Sequence, residues 1–331
     1  MEQGARVNLR GPLKGETPLF AALRSHNTDI LTLLFQAHSD INVHNNDGYT
    51  VLALATRNND LGMVEFLKAH GAKFNSPQDE FFFAASHGDV ADIQRILRDG
   101  ISVGTGARTP DGKLNLVNAS SRDGFTPLMA AASQGQTAAV KALIAAGADI
   151  NALNSSHQTP LLMAIGSRHK STILALLDAG ADPNILSGGE RTALFEATLA
   201  LDDPDIVHRL INGGNSVNSI GINRNGRPSA NTPLMTAAGF GRIQTVQILL
   251  DAHADVNARR FEGSTALMDA ASSGQTDVVA LLLRAGADAS IKDKQGRTAL
   301  DYASETSQMK IIEMLKKQLA PSTGTASPTN H

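Results

Sequence analysis

The chain has 331 residues, 42% hydrophobic and 18% charged, with a net charge of −3 and neither cysteine nor tryptophan. That length exceeds one hydrophobic core and predicts either two domains or a repeat array. The near-neutral charge gives no field for nucleic acid or an anionic membrane; the missing cysteines exclude disulfides, thiolate nucleophiles and Cys-based zinc; and no apolar run reaches the ~18 residues of a membrane span.

In chain order, GARVN at Gly4 to Asn8 reads as the end of a repeat whose helices are missing. It is either the remnant of a truncated repeat or a degenerate first finger. Full phrases then open at Thr17 and Thr50, and a degraded one at Asp79, DEFFFAASHGDVADIQRILRDG. TPLMAAASQGQTAAVKALIAAGADIN opens at Thr126, and related phrases open at Thr159, Thr192, Thr232, Thr265 and Thr298. Thr17 to Thr50, Thr126 to Thr159, Thr159 to Thr192, Thr232 to Thr265 and Thr265 to Thr298 are each 33 residues. A fixed period of this size marks a repeat architecture.

Each phrase reads as a helix pair. Thr caps a first helix, and Pro after it suits the first helical position. Small residues such as Ala130 to Ala132 allow close helix approach, and Gly135, Gly241 or Gly274 ends the helix in a left-handed turn. A second helix follows with apolar residues at helical spacing, such as Val140, Leu143 and Ile144, and Gly147, Gly180 or Gly286 ends it. An extended, turn-rich finger then leads to the next Thr.

The fingers vary. The default, Gly147 to Thr159, is 12 residues; Gly71 to Asp79 is 8, Gly100 to Thr126 is 26 and Gly214 to Thr232 is 18. The two long ones read as elongated β-hairpins turning at TPDG and at Asn225-Gly226. GARTPDGKLN resembles a phosphate loop only superficially. Its glycines are misspaced, Leu114 stands where a magnesium-binding hydroxyl belongs, and no helix follows. The Thr192 repeat has one extra residue, at LALDDPD; there Asp203 reads as an N-cap ahead of Pro204 rather than as part of a carboxylate site. His38 and His253 fill glycine slots, and no histidines have metal-ligand spacing. Phe81, Phe82 and Phe83 are expected to fill space beneath the shortened finger.

This pattern resembles the ankyrin repeat, in the T-P-L start, the A-A before the mid-repeat glycine and the G-A-D-V-N ending. About nine copies cover residues 4 to about 318. The histidine usual after T-P-L is missing, which puts the usual bonds between repeat turns in question. The resemblance implies an all-α repeat solenoid: an N-terminal finger at 1–16, an array at 17–319 and a disordered tail at 320–331. It further implies non-enzymatic protein–protein interaction, with contacts from the finger tips and first-helix ends of the concave face. Those positions carry Tyr49, Arg57, Phe125, Arg191, Phe240, Arg260, Phe261 and Arg297, and the long fingers add Arg108, Lys113, Arg224 and Arg227. Aromatics and Arg are the types enriched in binding hot spots. The competing expectation for each is local contact with a neighbouring finger. The two long fingers, residues 101 to 121 and 216 to 231, are expected to set specificity.

No catalytic residue, cofactor or metal is expected, and the partner is a protein, with no nucleic acid and no membrane insertion. The chain is expected to be monomeric alone. Its compartment is cytoplasmic by default, periplasmic or secreted if a signal has been removed. A small-molecule site beside a long finger, or an interaction module of a larger enzyme or membrane protein, are the alternatives.

Overall fold

A computed structural model describes residues 6–58, 60–99, 116–121, 123–188, 191–219 and 231–320. Among the described residues there are eighteen helices and no strand, and none is long and apolar enough to cross a membrane. The chain divides into two compact units, Met1–Ala119 and Ser120–His331.

The first unit holds three packed helix pairs: α1 (Pro18–Arg24) with α2 (Thr28–Gln36), α3 (Val51–Arg57) with α4 (Leu61–Ala69), and α5 (Pro77–His87) with α6 (Val90–Asp99). The second unit continues with α7 (Pro127–Ser133) and α8 (Thr137–Ala145), α9 (Pro160–Gly166) and α10 (Lys170–Asp178), and α11 (Ala193–Ala200) and α12 (Pro204–Asn212). It ends with α13 (Pro233–Gly239) and α14 (Ile243–Asp251), α15 (Ala266–Ser272) and α16 (Thr276–Arg284), and α17 (Ala299–Glu305) and α18 (Met309–Leu319). In this unit first helices pack on first helices and second on second. Ala131, Ala164, Ala197, Ala238 and Ala271 are all fully buried there, so alanine allows the close approach between first helices.

The predicted caps form at every Thr except Thr17, whose hydroxyl makes no cap bond. The hydroxyls of Thr50, Thr126, Thr159, Thr192, Thr232, Thr265 and Thr298 each accept the backbone N–H three residues on. Asp203 caps α12 by accepting from the N–H groups of Asp205 and Ile206. Gly135, Gly241 and Gly274 take φ of 71°, 72° and 71°, and Gly147, Gly180 and Gly286 take 88°, 88° and 89°. The extra residue of the Thr192 repeat lengthens α11 to eight residues, against seven in α7, α9, α13, α15 and α17.

The degraded repeat starts earlier than Asp79. Ser76 is the N-cap, accepting from the Asp79 N–H at 3.1 Å and donating its hydroxyl to the Asp79 carboxylate at 2.9 Å, with Pro77 at the first helical position. Serine and proline here do the work of Thr-Pro elsewhere, and α5 gains most of a turn at the finger's expense. Phe81 and Phe83 are buried and Phe82 half-buried, while Phe74 of the short finger stacks on Phe83 at 5.4 Å between ring centres.

The described finger tips are tight turns. In each, two backbone bonds close the loop: Asn45 N–H to Tyr49 O and Gly48 N–H to Asn45 O in one, Asp293 N–H to Arg297 O and Gly296 N–H to Asp293 O in another. A side-chain oxygen supports several of them. Asn154 Oδ1 accepts from Ser156 and Gln158 N–H, both at 2.9 Å. Neighbouring tips share single backbone bonds, Ser155 N–H to Asp123 O and Lys294 N–H to Glu262 O. One such bond makes no strand ladder, which is why the default fingers are turns and not β-structure. The elongated hairpins expected from the sequence would centre on residues 101–115 and 220–230, which lie outside the described residues.

Candidate interaction face

The finger tips and first helices place most of the sequence-predicted residues. Arg260 reaches from its finger to Asp269 on α15, with Nη2 3.0 Å from Oδ1. Its Nη1 donates to Asp269 Oδ2 at 3.3 Å and to Asn231 Oδ1 at 3.0 Å. Burial pushes the Asp269 carboxyl up to about 6, and the pull of Arg260 only partly offsets it. Arg191 pairs in the same way with Glu196 of α11 at 3.1 Å, and burial again holds the Glu196 carboxyl above its usual range against Arg191.

Arg297 belongs to a larger cluster. Its Nε donates to Asp293 Oδ2 at 3.1 Å and its Nη2 to the Tyr302 hydroxyl at 2.5 Å, while that hydroxyl donates to Asp293 Oδ2 at 2.9 Å. The guanidinium also lies 4.3 Å from the Tyr302 ring centre. Burial pushes the Asp293 carboxyl up, but the Arg297 backbone N–H, the Tyr302 hydroxyl and the Arg297 side chain outweigh it and hold the group below the usual range.

The aromatics divide. Tyr49 and Phe125 are half-buried at their turns. Phe240, at the end of α13, is 58% exposed, with the Arg242 guanidinium 4.9 Å from its ring centre. Phe261, at a finger tip, is 63% exposed beneath Lys294 Nζ at 3.6 Å. Arg57 ends α3. Arg108, Lys113, Arg224 and Arg227 lie outside the described residues. Of the predicted set, the finger arginines Arg191, Arg260 and Arg297 therefore face acidic groups of their own repeats, and Phe240 and Phe261 are left largely in solvent.

Residues the sequence reading passed over join the repeats. Asn257 accepts from the Asp288 N–H at 2.8 Å and donates to Gly286 O at 3.3 Å. Asn42 does the same to Lys73 N–H and Gly71 O, and Asn8, Asn151 and Asn218 accept from Asp40, Asp182 and Asp255 N–H. These asparagines recur at the end of each ADIN-type phrase, a signal present in the sequence. The N-cap residues of several second helices also reach back. Arg242 donates to the carbonyls of Thr198, Leu199 and Leu201 at the end of α11. His169 lies against Gly135, Gln275 against Gly241 and Gln308 against Gly274. In the first unit Asp60 meets His26 at 3.0 Å. Lys170 bridges Asp203 and Asp205 at 2.8 and 2.9 Å, so those carboxylates act as cap and ion-pair partners. Among the described residues no three His, Asp or Glu side chains converge as a metal site would require.

A family model described as ankyrin repeats (3 copies) matches residues 1–78, 81–187, 174–260, 194–293 and 254–323. Alpha-latrotoxin-Lg1a of Latrodectus geometricus is 32% identical over 130 residues, 37% of this chain and 9% of the toxin. The chain thus spans about a tenth of that relative's length. The human ASB11 ankyrin repeat domain superposes with a TM-score of 0.59 at 24% identity, over 73% of this chain and 98% of that one. The ankyrin repeat domain of Bcl-3, of the IkappaB protein family, superposes at 0.59 with 26% identity, over 72% of this chain and 97% of that one.

Proposed function

The chain belongs to the ankyrin repeat family, and we propose on that footing that it binds a protein partner, without catalysis, through the face made by its finger tips and first helices. The observation that carries this reading is the pair Phe240 and Phe261. Each is more than half exposed, at 58% and 63%, and each has a cation over its ring. An aromatic kept in water beside a guanidinium or ammonium is the residue combination that hot spots use. The arginines at 191, 260 and 297 hold the surrounding surface in one arrangement, so binding costs little side-chain ordering. The long fingers at 101 to 121 and 216 to 231 would set specificity.

The test is a crosslinked pull-down from native lysate with the intact chain and with a Phe240→Ser/Phe261→Ser variant. A protein captured by the first and lost with the second supports the reading. Equal capture by a variant of unchanged melting temperature would move the contact off these aromatics.

A further inference from the structure

We propose that the recess between the finger tips at 155–158 and 187–191 binds a carboxylate carried by the protein partner, with Arg191 as its anchor. This rests on the finger-tip reading of function and names one chemical feature of the partner. The recess lies within the second unit and has a volume of about 430 Å³. Donors are open here that are taken at other tips. Asn45, Asn154 and Asp293 each accept two backbone N–H groups with one side-chain oxygen. Ser187 stands at that place, only 9% exposed, and its hydroxyl has no partner among the described residues. The Arg191 N–H, in register with those of Tyr49, Gln158 and Arg297, is thereby left without an acceptor among those residues. The bond from tip to tip is absent too. Asn46, Ser155 and Lys294 each donate an N–H to the preceding tip, whereas Gly188, in the same register, makes no such bond among the described residues. It packs instead so closely that a methyl on it would come within 2.6 Å of Ser156 O.

The Arg191 side chain selects the ligand. Arg260 commits both Nη groups, to Asp269 and Asn231, and Arg297 places its own against Tyr302 and Glu305. Arg191 meets Glu196 through Nε alone, at 3.1 Å and without hydrogen-bond alignment. Both of its Nη groups therefore stay uncommitted among the described residues. A planar fork with two parallel donors matches the two oxygens of a carboxylate. Ser187 and Gly188, which line the same recess, add a hydroxyl and an N–H. Glu196 is the acid among the described lining residues, and burial holds its carboxyl above the usual range, which weakens its hold on Arg191. One guanidinium, with His157 as the other basic group among those residues, balances a single negative charge. A phosphate dianion would face Glu196 with charge in excess. An acidic side chain and a chain terminus both offer the carboxylate that fits.

The experiment is a titration of the full, isotope-labelled chain with synthetic peptides of one sequence. One carries an internal Glu and an amidated end, and one an internal Gln and a free terminal carboxylate. A third, with Gln and an amidated end, is neutral at both places, and a fourth carries an internal phosphoserine and an amidated end. A carboxylate peptide is expected to bind about tenfold or more tighter than the neutral one, weakening as salt is added. Amide shifts should map to residues 155–158 and 187–191, and the tighter of the two carboxylate peptides names the source of the group. Arg191→Gln should remove the preference, and Arg191→Lys should restore only part of it, since an ammonium lacks the fork. Ser187→Ala removes a hydroxyl that has no partner in the fold and should weaken the carboxylate peptides severalfold, so the test holds even where Arg191→Gln fails to fold. Equal binding of the neutral peptide overturns the proposal, as does a preference that survives Arg191→Gln. Tighter binding of the phosphoserine peptide would assign the recess to phosphate and overturn it too. None of these outcomes involves Phe240 or Phe261, so the proposed function stands or falls separately, on its own pull-down.

Discussion

Arg260 meets Asp269 at two points, with Nη2 3.0 Å from one carboxylate oxygen and Nη1 3.3 Å from the other. The contact ties a finger to the first helix of its own repeat. It is strong in geometry but sits over a carboxylate whose burial outweighs the attraction, since that carboxyl is pushed up to about 6.

The pH dependence follows from that. Asp269 binds its proton more tightly folded than unfolded, so its stabilising contribution is full below the ordinary carboxylate range and is lost as pH rises through about 6. The linkage amounts to about 3 kcal/mol in order of magnitude. Asp269→Asn is expected to gain stability relative to the parent by about that much between about pH 4 and pH 8. Denaturant midpoints at each pH measure it, and a gap that stays constant across the range would show that burial does not dominate.

Arg242 satisfies the carbonyls left open at the end of α11, and no other side chain does so among the described residues. Arg242→Ala is expected to cost about 1–3 kcal/mol, because the carbonyls of the buried Thr198 and Leu201 lose their donor, along with that of the exposed Leu199. Gln, found at the equivalent positions 275 and 308, should restore only part of the loss. Hydrogen exchange should quicken first around residues 198–201; uniform quickening would contradict a local cap.

Asn257 serves two neighbours at once. Asn257→Ala is expected to lower stability by about 0.5–1.5 kcal/mol, leaving the exposed Gly286 O and Asp288 N–H to water. Asn257→Asp keeps the acceptor and loses the donor, and should fall between. If thermal melts place Ala and Asp together, the bond accepted from the Asp288 N–H is unimportant.

Among the described residues six non-glycine residues hold positive φ, and His38 and His253, at 59° and 63°, stand exposed where other repeats place glycine. Glycine removes the Cβ strain of that region but frees the unfolded chain. His253→Gly is expected to raise stability by a few tenths to about 1 kcal/mol, and the reverse change Gly286→His to lower it by about 1 kcal/mol. Melting temperatures of the two variants, moving in opposite directions, are the check.

Much of this was legible because it is local chemistry. Thr-Pro followed by a helical stripe defines its own cap, and Asp203 ahead of Pro204 could be read in the same way. The start of α5 was obscured because aligning AASHG with other mid-repeat turns fixes Asp79, while Ser76 and Pro77 supply the true cap one turn earlier. The finger arginines were legible as types and not as partners. Whether Arg191 faces Glu196 or solvent depends on how far a finger folds over its helix, which no spacing rule gives. The asparagine ladder needed only attention to a residue recurring at the repeat's own period, since its partners are mostly the neighbour's backbone.

The glycines beneath the N-cap side chains set a rule for rearranging the molecule. A methyl on Gly274 would come within 2.8 Å of the Gln308 amide, and one on Gly241 within 2.3 Å of the Gln275 amide. Each such contact crosses from one repeat to the next, so a repeat lifted out or duplicated whole carries half of two mismatched joints. Grafts cut in the middle of a helix pair, keeping a turn together with the neighbour's cap, would transplant cleanly where grafts cut at the repeat boundary would not.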